Sequence, residues 1–277
     1  MPQLSECEVF SDPFEFLKWW AQSWEQGQHV LVQGMTGAGK TTLERFLVSA
    51  RKYVLVPDAK AGDTTLDKWG FQRVPRWPLP YDMREALRNG DPVHVVIGKV
   101  AKTKAHKVQN KDIIARCLSD IWMQGKWTLV LDELQLLADR RFAGGQAGED
   151  IEELLISARM RKISVMGGFQ RPKIARDTPA ASAQITQSMW VFVSMTRDIA
   201  VHDRLAEITG RPKPEMRGII PALPRFWWAC CSLDPSEPVR IFKPPKIEQL
   251  VAPVEQQQTR QSSWLWGELQ PEEKTNI

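Results

Sequence analysis

Short apolar runs bounded by turn formers alternate along the chain with longer segments of helical periodicity. The short runs are rich in β-branched residues and predict strands at 29–33, 53–57, 93–97, 127–131, 163–168 and 190–194. The longer segments predict helices at 12–26, 40–50, 110–124, 149–161 and 199–209. Because helices that connect parallel strands cover both faces of a sheet, this alternation predicts an α/β fold with a mainly parallel central sheet flanked by helices.

The two ends of the chain depart from this alternation. Residues 1–28 predict a helical extension ahead of the first core strand, and residues 225–231 and 239–242 predict a closing hairpin. From residue 244 the composition shifts to Pro, Gln, Glu and Ser, which predicts a disordered tail. We therefore divide the chain into an extension at 1–28, a core domain at 29–243 and a tail at 244–277.

Composition narrows the class of protein. Of the 277 residues, 43% are hydrophobic and 25% charged, as in an ordinary soluble globular protein. The sequence has no apolar run of about 18 residues and no secretory signal, so we expect a cytoplasmic protein without a membrane span. The net charge of +4 permits contact with a polyanion without indicating one. The four cysteines lack the spacing of a metal site and are assigned to packing.

A glycine-rich loop lies between the first predicted core strand and the helix after it. Residues 34–41 read Gly-Met-Thr-Gly-Ala-Gly-Lys-Thr, a pattern whose backbone amides converge on phosphate oxygens at a helix amino terminus. It predicts that Lys40 contacts the β and γ phosphates of ATP and that Thr41 ligates Mg2+. The predicted nucleotide-binding residues are Gly34, Met35, Thr36, Gly37, Ala38, Gly39, Lys40, Thr41 and Thr42.

An acidic pair follows the strand predicted at 127–131. Asp132 is predicted to hold Mg2+ beside Thr41, and Glu133 to activate the attacking water as a general base. The alternative is that both carboxylates only begin the next helix, where negative charge is favoured.

A glutamine follows the apolar run Val-Met-Gly-Gly-Phe at 165–169. Gln170 is predicted to sense the γ phosphate, because its amide can donate to a phosphate oxygen and also orient a water. The alternative is a polar turn residue at the end of a strand.

Taken in order, these features resemble the FtsK/HerA superfamily of P-loop ATPases. The resemblance rests on the phosphate loop, Val56-Pro-Asp58-Ala-Lys60, the acidic pair, and Ala158-Arg159 through Gln170-Arg-Pro172, and it covers about residues 29–210. It implies a RecA-like P-loop NTPase domain at 29–243 that hydrolyses ATP with Mg2+ and translocates DNA as a ring oligomer. Asp58 and Lys60 could equally only shape a loop.

The same resemblance implies a catalytic arginine. Arg159 matches the arginine that is inserted into the neighbouring subunit's site, where its guanidinium would stabilise charge on the γ phosphate. With Arg159 added, the predicted catalytic residues are Lys40, Glu133, Gln170 and Arg159. Arg161 is a rival for the arginine role, and the alternative is that both arginines lie on a solvated helix face.

The predicted binding partners of the protein rest on the remaining segments of the chain. The basic stretch 99–107 could line a ring channel and contact DNA, or could be a solvated loop. Since membrane helices and a winged-helix domain are absent from the sequence, we expect a compact motor of the viral-packaging or mobile-element type. Trp264 and Trp266 could dock the tail on a viral shell or portal protein, or fold back on the domain.

Two other functions share the phosphate loop. One is an ATP-dependent assembly or extrusion protein of a phage, which moves protein rather than DNA. The other is a nucleotide kinase, against which Glu133 argues because a general base beside the magnesium ligand favours water as the acceptor.

Overall fold

The computed structural model describes residues 6–58, 67, 70–100, 103–132, 134, 146–169 and 179–246. Within these residues the strands are β1 (Glu8–Val9), β2 (His29–Gln33), β3 (Tyr53–Pro57), β4 (Gln72–Val74), β5 (Val93–Ile97), β6 (Thr128–Leu131), β7 (Ser164–Phe169), β8 (Ser188–Ser194), β9 (Trp228–Ser232) and β10 (Arg240–Phe242). The α-helices are α1 (Pro13–Ser23), α2 (Lys40–Val48), α3 (Tyr81–Asn89), α4 (Lys104–Gln124), α5 (Gln146–Ser157), α6 (Pro179–Gln187), α7 (Ile199–Thr209) and α8 (Lys213–Ile219). Two 3-10 turns extend α5 and α8, at Ala158–Arg161 and Ile220–Ala222.

One sheet organises the described residues. Its ten strands lie in the order β1-β10-β9-β8-β2-β7-β6-β3-β5-β4. The strands from β8 to β4 in this order are parallel, whereas β9 runs antiparallel to both β8 and β10. The predicted α/β fold with a mainly parallel sheet is confirmed, and so is the predicted hairpin, formed by β9 and β10.

The direction of the parallel strands gives the sheet two distinct edges. We call the edge at which β2, β6, β7 and β8 end the carboxyl edge, and the opposite one the amino edge. In an open α/β sheet, ligands bind at the carboxyl ends of the strands. The phosphate loop follows β2 and Asp132 follows β6, so the topology places both at this edge.

The two faces of the sheet are covered by different kinds of side chain. One face packs against α1 and α2 through an aromatic layer. In that layer Phe16 of α1 stacks on Phe242 of β10 at 3.6 Å between ring centroids, and Trp20 stacks on Trp24 at 4.9 Å. The other face packs against helices α3 to α8 through mostly aliphatic side chains. The four cysteines are free thiols, and Cys117, Cys230 and Cys231 are buried in these layers.

Buried polar groups lock the position of β2 in the sheet. His29 accepts a hydrogen bond from the Val165 amide at Nδ1, and its Nε2 lies 3.0 Å from the Leu155 carbonyl oxygen. Burial lowers the pKa of His29 to about 4, so the ring is neutral and Nε2–H is the donor to Leu155. From α6, the Gln184 side chain donates to the Val30 carbonyl at 2.9 Å. These bonds tie β2 to α5, β7 and α6.

Several elements differ from the sequence prediction. Helix α4 begins at Lys104 rather than at 110, and α5 ends at Ser157, where a 3-10 turn replaces the predicted helix end. Residues 74–80, whose prolines are typical of a surface loop, begin at the last residue of β4 and include the buried Leu79. Helix α6 is not predicted because its small and polar residues lack helical periodicity. The predicted boundaries at 28 and 243 stay predictions, and the predicted tail lies outside the described residues from 247 onward.

No helix among the described residues combines the length and the apolar character that crossing a bilayer requires.

Candidate nucleotide-binding site

The phosphate loop joins the buried strand β2 to the first turn of α2. Its glycines permit the turn: Gly37 and Gly39 have φ of 80° and 86°, in the left-handed region that favours glycine. Gly39 is the residue immediately before α2, and its carbonyl accepts the first helical bond, from Leu43, at 2.9 Å. The first amides of α2 have no partner within the helix, so the loop forms a site for an anion at a helix amino terminus.

Three of the predicted residues meet at the carboxyl edge. The Lys40 ammonium donates to the Asp132 carbonyl at 2.5 Å and forms an ion pair with the Asp132 carboxylate. The Thr41 hydroxyl donates to Asp132 Oδ2 at 3.2 Å. A cation for phosphate and two oxygen ligands for a hard metal ion therefore lie within one cluster.

A buried carboxylate that the sequence prediction missed belongs to this cluster. Glu44 is 2% exposed, and its Oε1 lies 3.7 Å from Lys40 Nζ, one helical turn along α2. Lys40 thus has acidic neighbours on both α2 and the end of β6, which hold its ammonium at the mouth of the loop. The i, i+4 spacing of Lys40 and Glu44 is visible in the sequence, but its meaning depends on the burial of both side chains.

Lys40 and Asp132 can come this close because β7, which lies between β2 and β6, has a glycine at the point where they meet. A Cβ on Gly168 would lie 2.5 Å from the Asp132 carbonyl oxygen and 2.8 Å from Lys40 Nζ. The preceding glycine faces the other side of the strand, where a Cβ on Gly167 would lie 2.8 Å from the Gln184 side chain. The pair Gly167-Gly168 inside an apolar strand is the sequence signal for such close approaches.

The two glycines provide a matched test of this geometry. We expect Gly168→Ala to lower kcat for ATP hydrolysis about 100-fold, because displacing Lys40 and Asp132 by the width of a methyl group misplaces the reacting groups. Gly167→Ala is expected to lower the midpoint of thermal unfolding while its kcat stays within about threefold of wild type, since the atoms nearest the methyl group belong to Gln184 of α6. Steady-state hydrolysis and thermal unfolding of both variants check this. Equal loss of activity in the two variants would contradict it.

Asp58 lies in a separate cluster at the end of β3. Its carboxylate accepts a hydrogen bond at 2.7 Å from Arg73 Nη1, which also donates to the Gly98 carbonyl at 3.1 Å. Arg73 Nε donates in turn to Asp67 at 2.8 Å. Asp58 therefore ties together the ends of β3, β4 and β5, and Lys60 lies outside the described residues.

Of the other predicted catalytic residues, Arg159 alone lies within the described residues. Glu133 and Gln170 lie outside the described residues, directly after Asp132 and Phe169 in the sequence. Arg159 and Arg161 are exposed in the 3-10 turn before β7, at the amino edge. The length of β7, about 16 Å at 3.3 Å per residue, separates them from the phosphate loop of the same chain. Neither arginine can reach Lys40 of its own chain.

The basic segment 99–107 begins at the carboxyl edge, directly after β5. Asn110 of α4 holds its start, because its side chain accepts from the Lys99 amide and donates to the Lys99 carbonyl, each at 2.8 Å. Lys104 and Lys107 lie in the first turn of α4, so the end of the segment is helical rather than a loop. Residues 101 and 102 lie outside the described residues.

Comparison of the sequence with protein-family models and with curated proteins gives no match. Solved structures do match the fold. The DNA-packaging ATPase B204 from Sulfolobus turreted icosahedral virus is 13% identical, with a TM-score of 0.51 over 80% of this chain and 100% of B204. VirB4 of Thermoanaerobacter pseudethanolicus is 11% identical, with a TM-score of 0.52 over 83% of this chain and 91% of VirB4.

The pCW3 conjugation coupling protein TcpA, solved with ATPγS, gives a similar result. It is 14% identical, with a TM-score of 0.51 over 85% of this chain and 65% of TcpA. The packaging ATPase and the conjugation motors are P-loop ATPases of the FtsK/HerA superfamily. With the phosphate loop after β2, Asp132 after β6 and β7 between them, this chain has the fold of the FtsK/HerA P-loop ATPases.

Proposed function

We propose that the chain is an ATP-hydrolysing motor that translocates DNA, working as a ring oligomer that packages or transfers a phage or mobile-element genome. The observation that carries the proposal is the joint contact of Lys40 and Thr41 with Asp132 at the carboxyl edge. The fold shared with DNA-packaging and conjugation ATPases supports it. The proposed place of action is the host cytoplasm.

The described residues fit ATP and Mg2+. The loop amides at the start of α2 would cradle the phosphates, and Lys40 lies beside the loop as a point charge for the β and γ phosphates. Thr41 and Asp132 would hold Mg2+, since their oxygens are 3.2 Å apart and are the hard ligands that this ion prefers. When bound, the ion supplies positive charge against the phosphate oxygens.

Hydrolysis needs two further groups from this chain. Glu133 accepts the proton of the attacking water, and Gln170 donates to the γ phosphate and orients that water. The oxygen of the water bonds to the γ phosphorus and the bond to ADP breaks, giving ADP and phosphate. These two roles rest on sequence position, because Glu133 directly follows Asp132 at the end of β6 and Gln170 directly follows β7.

Arg159 completes the site of a neighbouring subunit in this proposal. Its position at the amino edge is incompatible with a role in its own site, whereas its exposure suits a role in trans. A guanidinium inserted there stabilises charge on the γ phosphate in the transition state. A ring oligomer would repeat this contact at every interface.

Two features support DNA as the substrate that is moved. The basic segment 99–107 starts at the same edge as the nucleotide site, where hydrolysis can change its position. Lysine side chains such as Lys99, Lys104 and Lys107 bind phosphates without reading sequence, and their affinity falls as salt rises.

The tail with Trp264 and Trp266 is the proposed contact with a viral shell or portal protein.

Steady-state ATP hydrolysis across protein concentration, with and without linear double-stranded DNA, tests the proposal. We expect turnover per subunit to rise cooperatively with concentration and to increase on addition of DNA, with an increase that shrinks at high salt. Heparin serves as a control for charge alone and should not stimulate turnover to the same degree. Hydrolysis that is indifferent to DNA would contradict the motor and favour a phage assembly or extrusion ATPase.

A further inference from the structure

Phe226 has an unusual backbone and an exposed ring beside the phosphate loop. Its φ is 66°, a left-handed conformation that is a genuine outlier for a bulky residue. Its side chain is 42% exposed, although a buried ring would be the ordinary place for a phenylalanine. Strained residues of this kind cluster at active sites and ligand clamps, where the surrounding structure holds them.

The surrounding structure holds Phe226 through the start of β9. Trp228, two residues later, is 1% exposed and packs so closely on Gly34 that a Cβ there would lie 2.7 Å from the indole. Trp228 also pairs with Ser194 at the end of β8, and the Trp227 amide donates to the Pro224 carbonyl at 3.1 Å. The turn at 224–227 is therefore fixed against the phosphate loop.

The ring of Phe226 lies next to the last glycine of the loop. A Cβ on Gly39 would lie 3.7 Å from Phe226 Cδ1, which is ordinary van der Waals contact. Arg225 adds a second planar group, with its guanidinium 4.7 Å from the centre of the Phe226 ring. An exposed aromatic ring and a guanidinium together offer flat surfaces on which a nucleobase can stack.

The sheet order puts this surface on the correct side of the loop for a base. Asp132 follows β6, which lies beyond β7 on one side of β2, whereas Phe226 precedes β9, which lies beyond β8 on the other side. Lys40 and Asp132 fix the γ-phosphate end on the β6 side. The ribose and base must then extend away from Asp132, and Phe226 borders the loop in that direction.

We propose that Phe226, flanked by Arg225, is the stacking platform for the base of the bound nucleotide. The inference rests on the proposed nucleotide binding and adds the subsite that holds the base. Stacking recognises the face of a ring rather than its hydrogen-bonding edge. The platform therefore favours purine over pyrimidine nucleotides by ring area and discriminates weakly between ATP and GTP.

Equilibrium binding of ATPγS and of inorganic tripolyphosphate to the full chain tests the platform. Phe226→Ala should weaken ATPγS binding about 5- to 150-fold, the range measured for one base on one aromatic ring. Its affinity for tripolyphosphate, which has no base, should be unchanged. Phe226→Tyr should keep ATPγS affinity, and so should Phe14→Ala, which removes a phenylalanine of similar exposure, 43%, on α1.

A second variant separates this role from folding. Phe226→Gly relieves the left-handed strain, so its midpoint of thermal unfolding should equal or exceed that of wild type while ATPγS binding falls. Equal ATPγS affinity of wild type and Phe226→Ala would overturn the platform, as would equal weakening of both ligands. If wild type binds neither ligand, the proposed function itself fails.

Discussion

Replacing Arg159 by alanine is expected to lower kcat for ATP hydrolysis by about three orders of magnitude, the lower end of what an arginine finger contributes. The arginine lies at the amino edge, a strand length from its own phosphate loop, so the proposed role assigns this effect to the site of a neighbouring subunit. Exposed apolar side chains flank it: Met160 is 84% exposed and Ile156 is 60% exposed. Such a surface is suited to burial against a partner. Steady-state hydrolysis at saturating DNA gives the measurement.

Arg161→Ala is the matched control, since it removes the same group from the same turn. The Arg161 guanidinium lies 5.8 Å from the centre of the Trp122 ring of its own chain, and its loss should change kcat less than about threefold. A large loss in Arg161→Ala with none in Arg159→Ala would assign the role to Arg161 instead.

Mixing inactive variants tests whether the arginine acts in trans. In a random mixture of Arg159→Ala and Glu133→Gln subunits, about a quarter of the interfaces combine an intact site with an intact arginine. Activity should therefore return to as much as a quarter of the wild-type value. A mixture as inactive as its components would contradict an arginine shared between subunits.

The sequence predicts the site best where its signals are local. The phosphate loop and Asp132 are each recognised from a few neighbouring residues, because a glycine pattern or an acidic residue after a β-branched run has a local physical cause. Among the described residues, six of the seven strands of the parallel core were predicted to within about two residues for the same reason, and β4 was missed. Helix α6 was missed because its small and polar residues lack helical periodicity.

Contacts between distant segments could not be predicted in the same way. Phe226 borders the site only because β9 returns beside β8. Asp58 is similar: its partner, Arg73, lies in β4, a strand that the sequence did not predict. In each case the residue type is visible in the sequence, while its partner is fixed by the order of the strands.

Neutralising either of the adjacent carboxylates, Asp132 or Glu133, is expected to impair ATP hydrolysis, each in a different way. Glu133→Gln should lower kcat about 100- to 10,000-fold with little change in ATPγS affinity, because the amide keeps the shape of the side chain but cannot accept the proton of water. Asp132→Asn should raise the Mg2+ concentration needed for half-maximal activity about tenfold or more, since it removes a charged oxygen that Thr41 and Lys40 both contact. Magnesium titrations of hydrolysis, with ATPγS binding measured in parallel, separate the two effects.

The difference between Asp132→Asn and Glu133→Gln distinguishes catalytic carboxylates from carboxylates that only begin a helix. Carboxylates that only favour the first turn of a helix would lower stability by similar small amounts when neutralised and would leave the Mg2+ requirement unchanged. Glu149→Gln is the matched control, because Glu149 is an exposed acid in the first turn of α5. If Glu133→Gln behaves like Glu149→Gln, with kcat retained, water must be activated by another group. If Glu133→Gln instead binds ATPγS normally and turns over slowly while Asp132→Asn raises the Mg2+ requirement, the chemistry belongs to Glu133 and the metal to Asp132.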